Sequence, residues 1–164
     1  MASDLLKVPD FYQSVLKIKD VEVFTLHTVM RVLFAPSFHP FALSFIEVER
    51  DGAGNMMMTF TKGVRRTAEK VSVALVCAED AASLSALLAE PWPETPNNWM
   101  VMDGMPTLLL LRKPDDTVLM RKFNGSVQDA QGSALVDYLH AIALKEFTDA
   151  ASQQVLQTVA RYLG

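Results

Sequence analysis

The chain has 164 residues, of which 50% are hydrophobic and 21% charged, enough apolar material for the core of one ordinary globular domain. Its formal net charge of -4 is a poor electrostatic match for nucleic acid, whose binding depends on neutralising phosphates. The high hydrophobic content and the lack of a low-complexity tract exclude a disordered or fibrous protein. We therefore expect a single globular domain over residues 1–164 that does not bind nucleic acid.

Cysteine usage and the lack of export or membrane signals indicate the cytoplasm. A lone cysteine, Cys77, can form no intramolecular disulfide, which is typical of a reducing compartment. Residues 1–9 lack the charged-then-apolar order and the cleavage site of a secretory signal. The longest uncharged run, residues 32–46, contains two prolines and is shorter than the ~20 apolar residues that a membrane helix requires. We expect a cytoplasmic protein without membrane insertion.

The first half of the chain predicts β-hairpins. Alternating apolar residues over 23–34, rich in β-branched and aromatic side chains, predict a strand. A second strand is predicted from three apolar residues that share one face and two acidic residues at its solvent end: Phe41, Leu43, Phe45, Glu47 and Glu49. Residues 51–55 tolerate positive φ and predict a turn into a third strand, with Met56, Met58 and Phe60 on one face.

Shorter elements are predicted next. Residues 71–77 form an apolar run that predicts a strand, and residues 79–89 predict a helix with an acidic first turn. Three prolines within residues 91–98 predict a loop, because proline lacks a backbone donor and restricts the residue before it. Three further strands are predicted at residues 99–102, 107–112 and 117–123.

The C-terminal segment changes to a helical period and completes the predicted fold. Apolar residues at three- and four-residue steps predict one helix around Leu135 to Ile142, and Thr148 is placed to cap a second. Strands joined by hairpin turns, with helices at the end, predict an α+β fold. Its mainly antiparallel sheet carries helices packed on one face, including two C-terminal helices.

No established catalytic motif occurs in the sequence. The three histidines, His27, His39 and His140, lack the spacing of a zinc site, and structural roles are favoured for each. Cys77 is followed by acidic residues within an apolar run, so a buried, unreactive thiol is predicted. We therefore predict no catalytic residue, metal or cofactor. The enzyme alternative requires a pocket that brings His39 and Asp103 together with another titrating group.

One proline-stiffened segment combines aromatic area with hydrogen-bonding groups, as binding surfaces often do. The predicted partner-binding residues are Trp92, Asn97, Asn98, Trp99 and Asp103. The alternative is that both tryptophans cap the edge of the core.

Four short motifs occur in order along about residues 24–145: Phe38-His39-Pro40, Asp51-Gly52, Ser83-Leu84 and Met102-Asp103-Gly104. In these motifs the chain resembles small bacterial α+β proteins of unassigned function, some of which are immunity proteins encoded beside secreted toxins. The resemblance implies a cytosolic, non-enzymatic protein that binds and neutralises a toxin. It carries over no functional residue.

A secretion chaperone is the second functional hypothesis. Small acidic α+β proteins that end in helices are also similar to chaperones that hold an extended effector segment and usually dimerise, so a homodimer is a possible state. An N-terminal amphipathic helix favours this class. The sequence permits one, interrupted at Pro9, through Leu5, Leu6, Phe11, Val15, Leu16 and Ile18.

Overall fold

The computed structural model describes residues 27–62, 70–93, 104–124 and 129–163. The strands within these ranges are β1 (Thr28–Phe34), β2 (Ser44–Arg50), β3 (Met56–Lys62), β4 (Lys70–Leu75), β5 (Thr107–Arg112) and β6 (Val118–Phe123). The helices are α1 (Ala78–Ala89), α2 (Ala130–Glu146) and α3 (Ala150–Ala160), and a 3-10 turn covers Pro40–Ala42.

The strands form one antiparallel sheet in the order β4-β3-β2-β1-β5-β6. β1 lies between β2 and β5, so the chain leaves the sheet after β4 and returns on the far side of β1 after α1. The predicted α+β fold, with two C-terminal helices beside an antiparallel sheet, is confirmed.

The two tight hairpins have turn residues that explain their positions. Between β2 and β3, the Asp51 carboxylate accepts hydrogen bonds from the backbone N–H of Ala53 and of Asn55, both at 2.9 Å. Between β5 and β6, Asp116 has a φ of 68°, a conformation that aspartate tolerates better than most residues. These turn conformations fix the length of each loop and hence the register of each strand pair.

All three described helices contact the same face of the sheet, which we call the first face. Arg50 of β2 donates to Ser85 of α1 at 3.2 Å, and Phe34 of β1 contacts His140 of α2 edge to face. Near the start of α3, the ammonium group of Lys62 lies 4.0 Å from the Asp149 carboxylate. The main core lies between this face and the helices and includes Val32, Ile46, Met58, Phe60, Leu109, Leu135, Leu139 and Leu156, all fully buried.

Aspartates cap both C-terminal helices. The Asp129 side chain accepts from the Gly132 N–H at the start of α2, and Asp149 accepts from the Ser152 N–H at the start of α3. The prediction that Thr148 caps the last helix is therefore wrong by one residue. A carboxylate suits this position because it also interacts with the positive end of the helix dipole.

The second strand begins later than predicted and buries the opposite set of residues. Phe41 lies in the 3-10 turn and is 45% exposed, and Phe45 is only half-buried. Leu43 is buried as predicted, but it precedes the strand. Ile46 is buried instead because it lies opposite Val32 of β1 and Phe60 of β3 on the first face. The alternation that buries a face therefore starts at Ser44, after the 3-10 turn has ended.

Cys77 is exposed, which contradicts the predicted buried thiol. β4 ends at Leu75, so Cys77 is not a strand residue but the residue that precedes α1. The predicted helix at residues 79–89 and the predicted strands at residues 107–112 and 117–123 agree with the structure to within one residue. β3 continues to Lys62, and the helix predicted around Leu135 to Ile142 spans Ala130–Glu146. The described part of the strand predicted at residues 23–34 forms β1. The predicted strand at residues 99–102 lies outside the described residues.

Candidate partner-binding site

Of the five predicted partner-binding residues, Trp92 is described by the structure, whereas Asn97, Asn98, Trp99 and Asp103 lie outside the described ranges. Trp92 is 6% exposed, and its indole N–H donates to the Leu87 carbonyl at 3.1 Å. This contact ties the residues after α1 back onto the helix. Trp92 therefore caps the core at the start of the segment, and partner binding by residues 92–103 stays a prediction.

Arg121 of β6 fixes the start of this segment. The Arg121 guanidinium carbon lies 5.3 Å from the centroid of the Trp92 ring, a cation–π contact. The same guanidinium donates to the Pro93 carbonyl and, at 2.8 Å, to the Asp129 carboxylate. Arg121 is 2% exposed, so its charge has been removed from water and depends on these partners.

The end of the segment is fixed by Gly104 and Asn124. The Met105 N–H donates to the Asn124 side-chain oxygen at 3.2 Å, and the Gly104 carbonyl accepts from the Ser37 N–H at 2.9 Å. Gly104 has a φ of 145°, and a Cβ at this position would lie 2.7 Å from the Asn124 side-chain oxygen. Glycine is therefore required here by both backbone conformation and space.

Residues 94–103 are thus joined to the fold at both ends near the end of β6. Arg121 and Asn124 lie three residues apart in sequence, and one contacts Pro93 while the other contacts Met105. The sequence signal for Arg121 was a charged residue at a position of the β6 alternation that otherwise carries Leu119 and Phe123. A charge on a buried strand face requires an acidic partner, which Asp129 provides.

A second polar cluster joins α1 to α2. The Asp80 carboxylate accepts from the Lys145 ammonium at 2.5 Å, the Tyr138 hydroxyl at 2.9 Å and the Cys77 thiol at 3.2 Å. The hydrogen bond from Lys145 lowers the pKa of Asp80 most, and the bonds from Cys77 and Tyr138 lower it further, because all three stabilise the charged carboxylate. This cluster holds the two helices together at the surface, where Lys145 is half-exposed.

The connection between β1 and β2 forms an aromatic corner. His39 Nδ1 lies 2.6 Å from the Tyr162 hydroxyl, and the His39 ring makes edge contacts with the rings of Phe41 and Tyr162. Phe38 beside it is 66% exposed. The enzyme alternative, which requires a pocket that contains His39 and Asp103, stays a prediction because Asp103 lies outside the described residues.

His140 has a structural position in the core. It is 5% exposed, and its Nε2–H donates to the Leu156 carbonyl at 2.7 Å, linking α2 to α3. Burial lowers the pKa of His140. Across residues 27–62, 70–93, 104–124 and 129–163, no three His, Cys, Asp or Glu side chains are grouped to hold a metal ion.

None of the helices within the described part of the chain combines the length and apolarity needed to cross a membrane. No family model matches the chain, and comparisons with curated proteins and with solved structures give no match either.

Proposed function

We propose that this chain is a non-enzymatic, cytosolic protein-binding protein, an immunity protein that binds and neutralises a toxin. The observation that carries the proposal is the anchoring of residues 94–103 at both ends near the end of β6. Binding loops are commonly presented by rigid elements in this way. Anchored ends reduce the conformational entropy that the loop loses when it contacts a partner.

The chemistry of the segment suits a protein partner. Trp99 supplies aromatic area, Asn97 and Asn98 supply hydrogen-bond donors and acceptors, and Asp103 supplies a negative charge. The chain's net charge of -4 favours encounter with a basic partner through long-range attraction. Trp92 has a structural role instead, because its buried ring fixes the start of the segment against α1.

The test is coexpression of the tagged full chain with the products of the adjacent genes, followed by calorimetry on any complex that copurifies. Asn98→Ala and Trp99→Ala are each expected to cost about 1 kcal/mol or more of binding free energy, the range of interface anchors. Gln157→Ala, on the exposed side of α3, is the matched control and should leave affinity unchanged.

Wild-type affinity in both loop variants, with folding intact, would remove the segment as the interface. Trp92→Ala separates structure from binding, because truncating a buried tryptophan costs about 3–5 kcal/mol of stability. A large fall in its melting temperature is therefore expected even if the partner never contacts Trp92.

A secretion chaperone is the second candidate, and the edge strand β4 is the observation that favours it. Val73 and Leu75 are 59% and 60% exposed, and β4 is the last of the described strands on its side of the sheet. An extended peptide can add to such an edge through main-chain hydrogen bonds. A chaperone would copurify with an unfolded export segment, and Val73→Lys would weaken that complex. An immunity protein would instead copurify with a folded toxin domain and tolerate the change.

A further inference from the structure

The backbone of β4, the last described strand on its side of the sheet, has a direction that one hydrogen bond defines. The Val76 N–H, directly after the end of β4, donates to the Met56 carbonyl at 2.9 Å. In an antiparallel ladder, successive residues of a strand bond to alternate sides. Because Val76 bonds towards β3, the backbone N–H and C=O groups of Val71, Val73 and Leu75 point away from β3, towards the outer side of the strand.

The exposed side chains of β4 belong to the same outward-directed residues. Ser72 pairs with Phe60 of the first face, so Val73 and Leu75 lie on the opposite face of the sheet. They are 59% and 60% exposed, although both are apolar. The outer side of β4 therefore combines main-chain groups that point outwards with apolar side chains in contact with solvent.

The other edge of the described sheet is protected, whereas β4 is not. Soluble proteins usually protect edge strands with charged residues, which hinder pairing with another chain. β6 contains Arg121 and Lys122, and Arg121 is buried with its charge directed inwards. In β4 the charged residue is Lys70 at the first position, and residues 71–75 carry no charge. An edge of this kind is a template for a further strand.

We propose that two copies of this chain pair through β4, antiparallel, with Val73 at a two-fold axis perpendicular to the sheet. This register sets Val73 opposite Val73 of the second copy and Leu75 opposite Val71. Every outward-directed residue of β4 then meets another outward-directed residue. A shift of one residue would instead set them against residues that already bond to β3. The sheet thus continues from one copy into the other.

Charge favours a second copy as the occupant of this edge. Each chain has a net charge of -4, but residues 71–75 are uncharged, so the pairing sets no like charges opposite each other along the strand. The two ends of β4 differ in sign, because Lys70 begins the strand and the exposed Glu79 follows its end in α1. An antiparallel pair sets the start of one copy beside the end of the other, so positions of opposite charge adjoin at both ends.

The pairing also removes apolar surface from water. Residues opposite each other in an antiparallel pair project on the same face, so Val73 of one copy contacts Val73 of the other. Leu75 lies diagonally from the Val73 of the second copy, within reach of its side chain. One strand from each copy is a small interface beside those of stable dimers, so a weak dimer that depends on protein concentration is expected.

This proposal concerns the chain alone and does not depend on the toxin that the proposed immunity function requires. An extended peptide of another protein, as in the chaperone hypothesis, is the main competing occupant of the same edge. A segment of this chain outside the described residues is a further one. With either of these occupants, the purified chain would be a monomer.

The test is analytical ultracentrifugation of the purified full chain at increasing concentration, with circular dichroism to confirm folding. The wild type should pass from monomer to dimer, and Val73→Lys should stay monomeric because two lysines would face each other at the axis. Met120→Lys is the matched control, since Met120 is partly exposed at the β6 end of the same row of residues across the sheet. It should dimerise as the wild type does. A monomeric wild type, or equal loss of the dimer in both variants, would overturn the proposal.

Disulfide trapping tests the register. In a Cys77→Ser background, Val73→Cys sets two cysteines opposite each other with their Cα atoms about 5.5 Å apart, within the range of a disulfide. Leu75→Cys in the same background sets them about 14 Å apart, the length of four strand residues. Oxidised glutathione should therefore link the Val73→Cys protein into a covalent dimer and leave the Leu75→Cys protein unlinked. Linking to the same extent in both proteins, or through Leu75→Cys alone, would contradict the proposed pairing.

Discussion

Asp129→Asn in the full chain is expected to lower the free energy of unfolding by about 3 kcal/mol, because it leaves the Arg121 charge buried without a carboxylate. The two groups are 2.8 Å apart, and their side chains are 2% and 7% exposed, so solvent screens them little. Asparagine caps helices about as well as aspartate, so the bond from the Gly132 N–H should survive. The expected loss therefore reports the ion pair rather than the helix cap.

A second substitution tests whether the unpaired Arg121 charge causes the loss of stability. Arg121→Met in the Asp129→Asn background removes the unpaired charge, and buried ion pairs replaced by apolar residues often lose no stability. The double variant is therefore expected to be more stable than Asp129→Asn alone, even though it also loses the bond to the Pro93 carbonyl.

Urea unfolding followed by circular dichroism measures these free energies by linear extrapolation. The control is Asp116→Asn, which breaks the exposed pair between Arg112 and an aspartate that is 88% exposed. Exposed pairs contribute about 0–1 kcal/mol, so little change is expected. A loss below 1 kcal/mol for Asp129→Asn, or a double variant less stable than that single variant, would refute the role given to Arg121.

Three further predictions concern stability. Burial lowers the folded-state pKa of His140 below its ordinary value of 6.5, so the unfolded chain binds the proton more tightly and stability falls as pH drops below about 6.5. The urea midpoint should therefore fall less steeply with decreasing pH in His140→Gln than in the wild type, and an equal pH dependence in the two proteins would contradict this role of His140. Gly104→Ala should cost about 1–3 kcal/mol of unfolding free energy through backbone strain and the close approach of Asn124, whereas Gly52→Ala, which meets no atom within 4 Å, should cost little. Asp149→Ala should cost about 1 kcal/mol by removing the cap of α3, and thermal melts that match the wild type would show that the cap is dispensable.

The fold class followed from the sequence because its turns and periods are local signals. The aspartate and glycine residues at 51–55 specify a tight hairpin, and the alternation of Met56, Met58 and Phe60 matches the buried face of β3. The face of β2 was predicted wrongly because Phe41 and Leu43 were counted into the strand. Register is set by pairing with both neighbouring strands, and this information lies outside the segment itself.

The features of the candidate site were less accessible from the sequence, because they depend on contacts between distant residues. Arg121 meets Pro93 across 28 residues, and Cys77 meets Lys145 across 68. An apolar run over residues 71–77 suggested that Cys77 is buried, but the strand ends at Leu75 and the thiol lies at the surface before α1. Local pattern cannot show where a strand stops when apolar residues continue beyond it.

The most direct test of the proposed function is calorimetric titration of the full chain with the adjacent-gene product that copurifies with it, comparing wild type with Trp99→Ala. The account predicts a stoichiometric complex whose affinity falls about fivefold or more in the variant, the equivalent of about 1 kcal/mol. Unchanged affinity in a folded Trp99→Ala protein would contradict binding through residues 94–103, and the absence of any complex would contradict the immunity function.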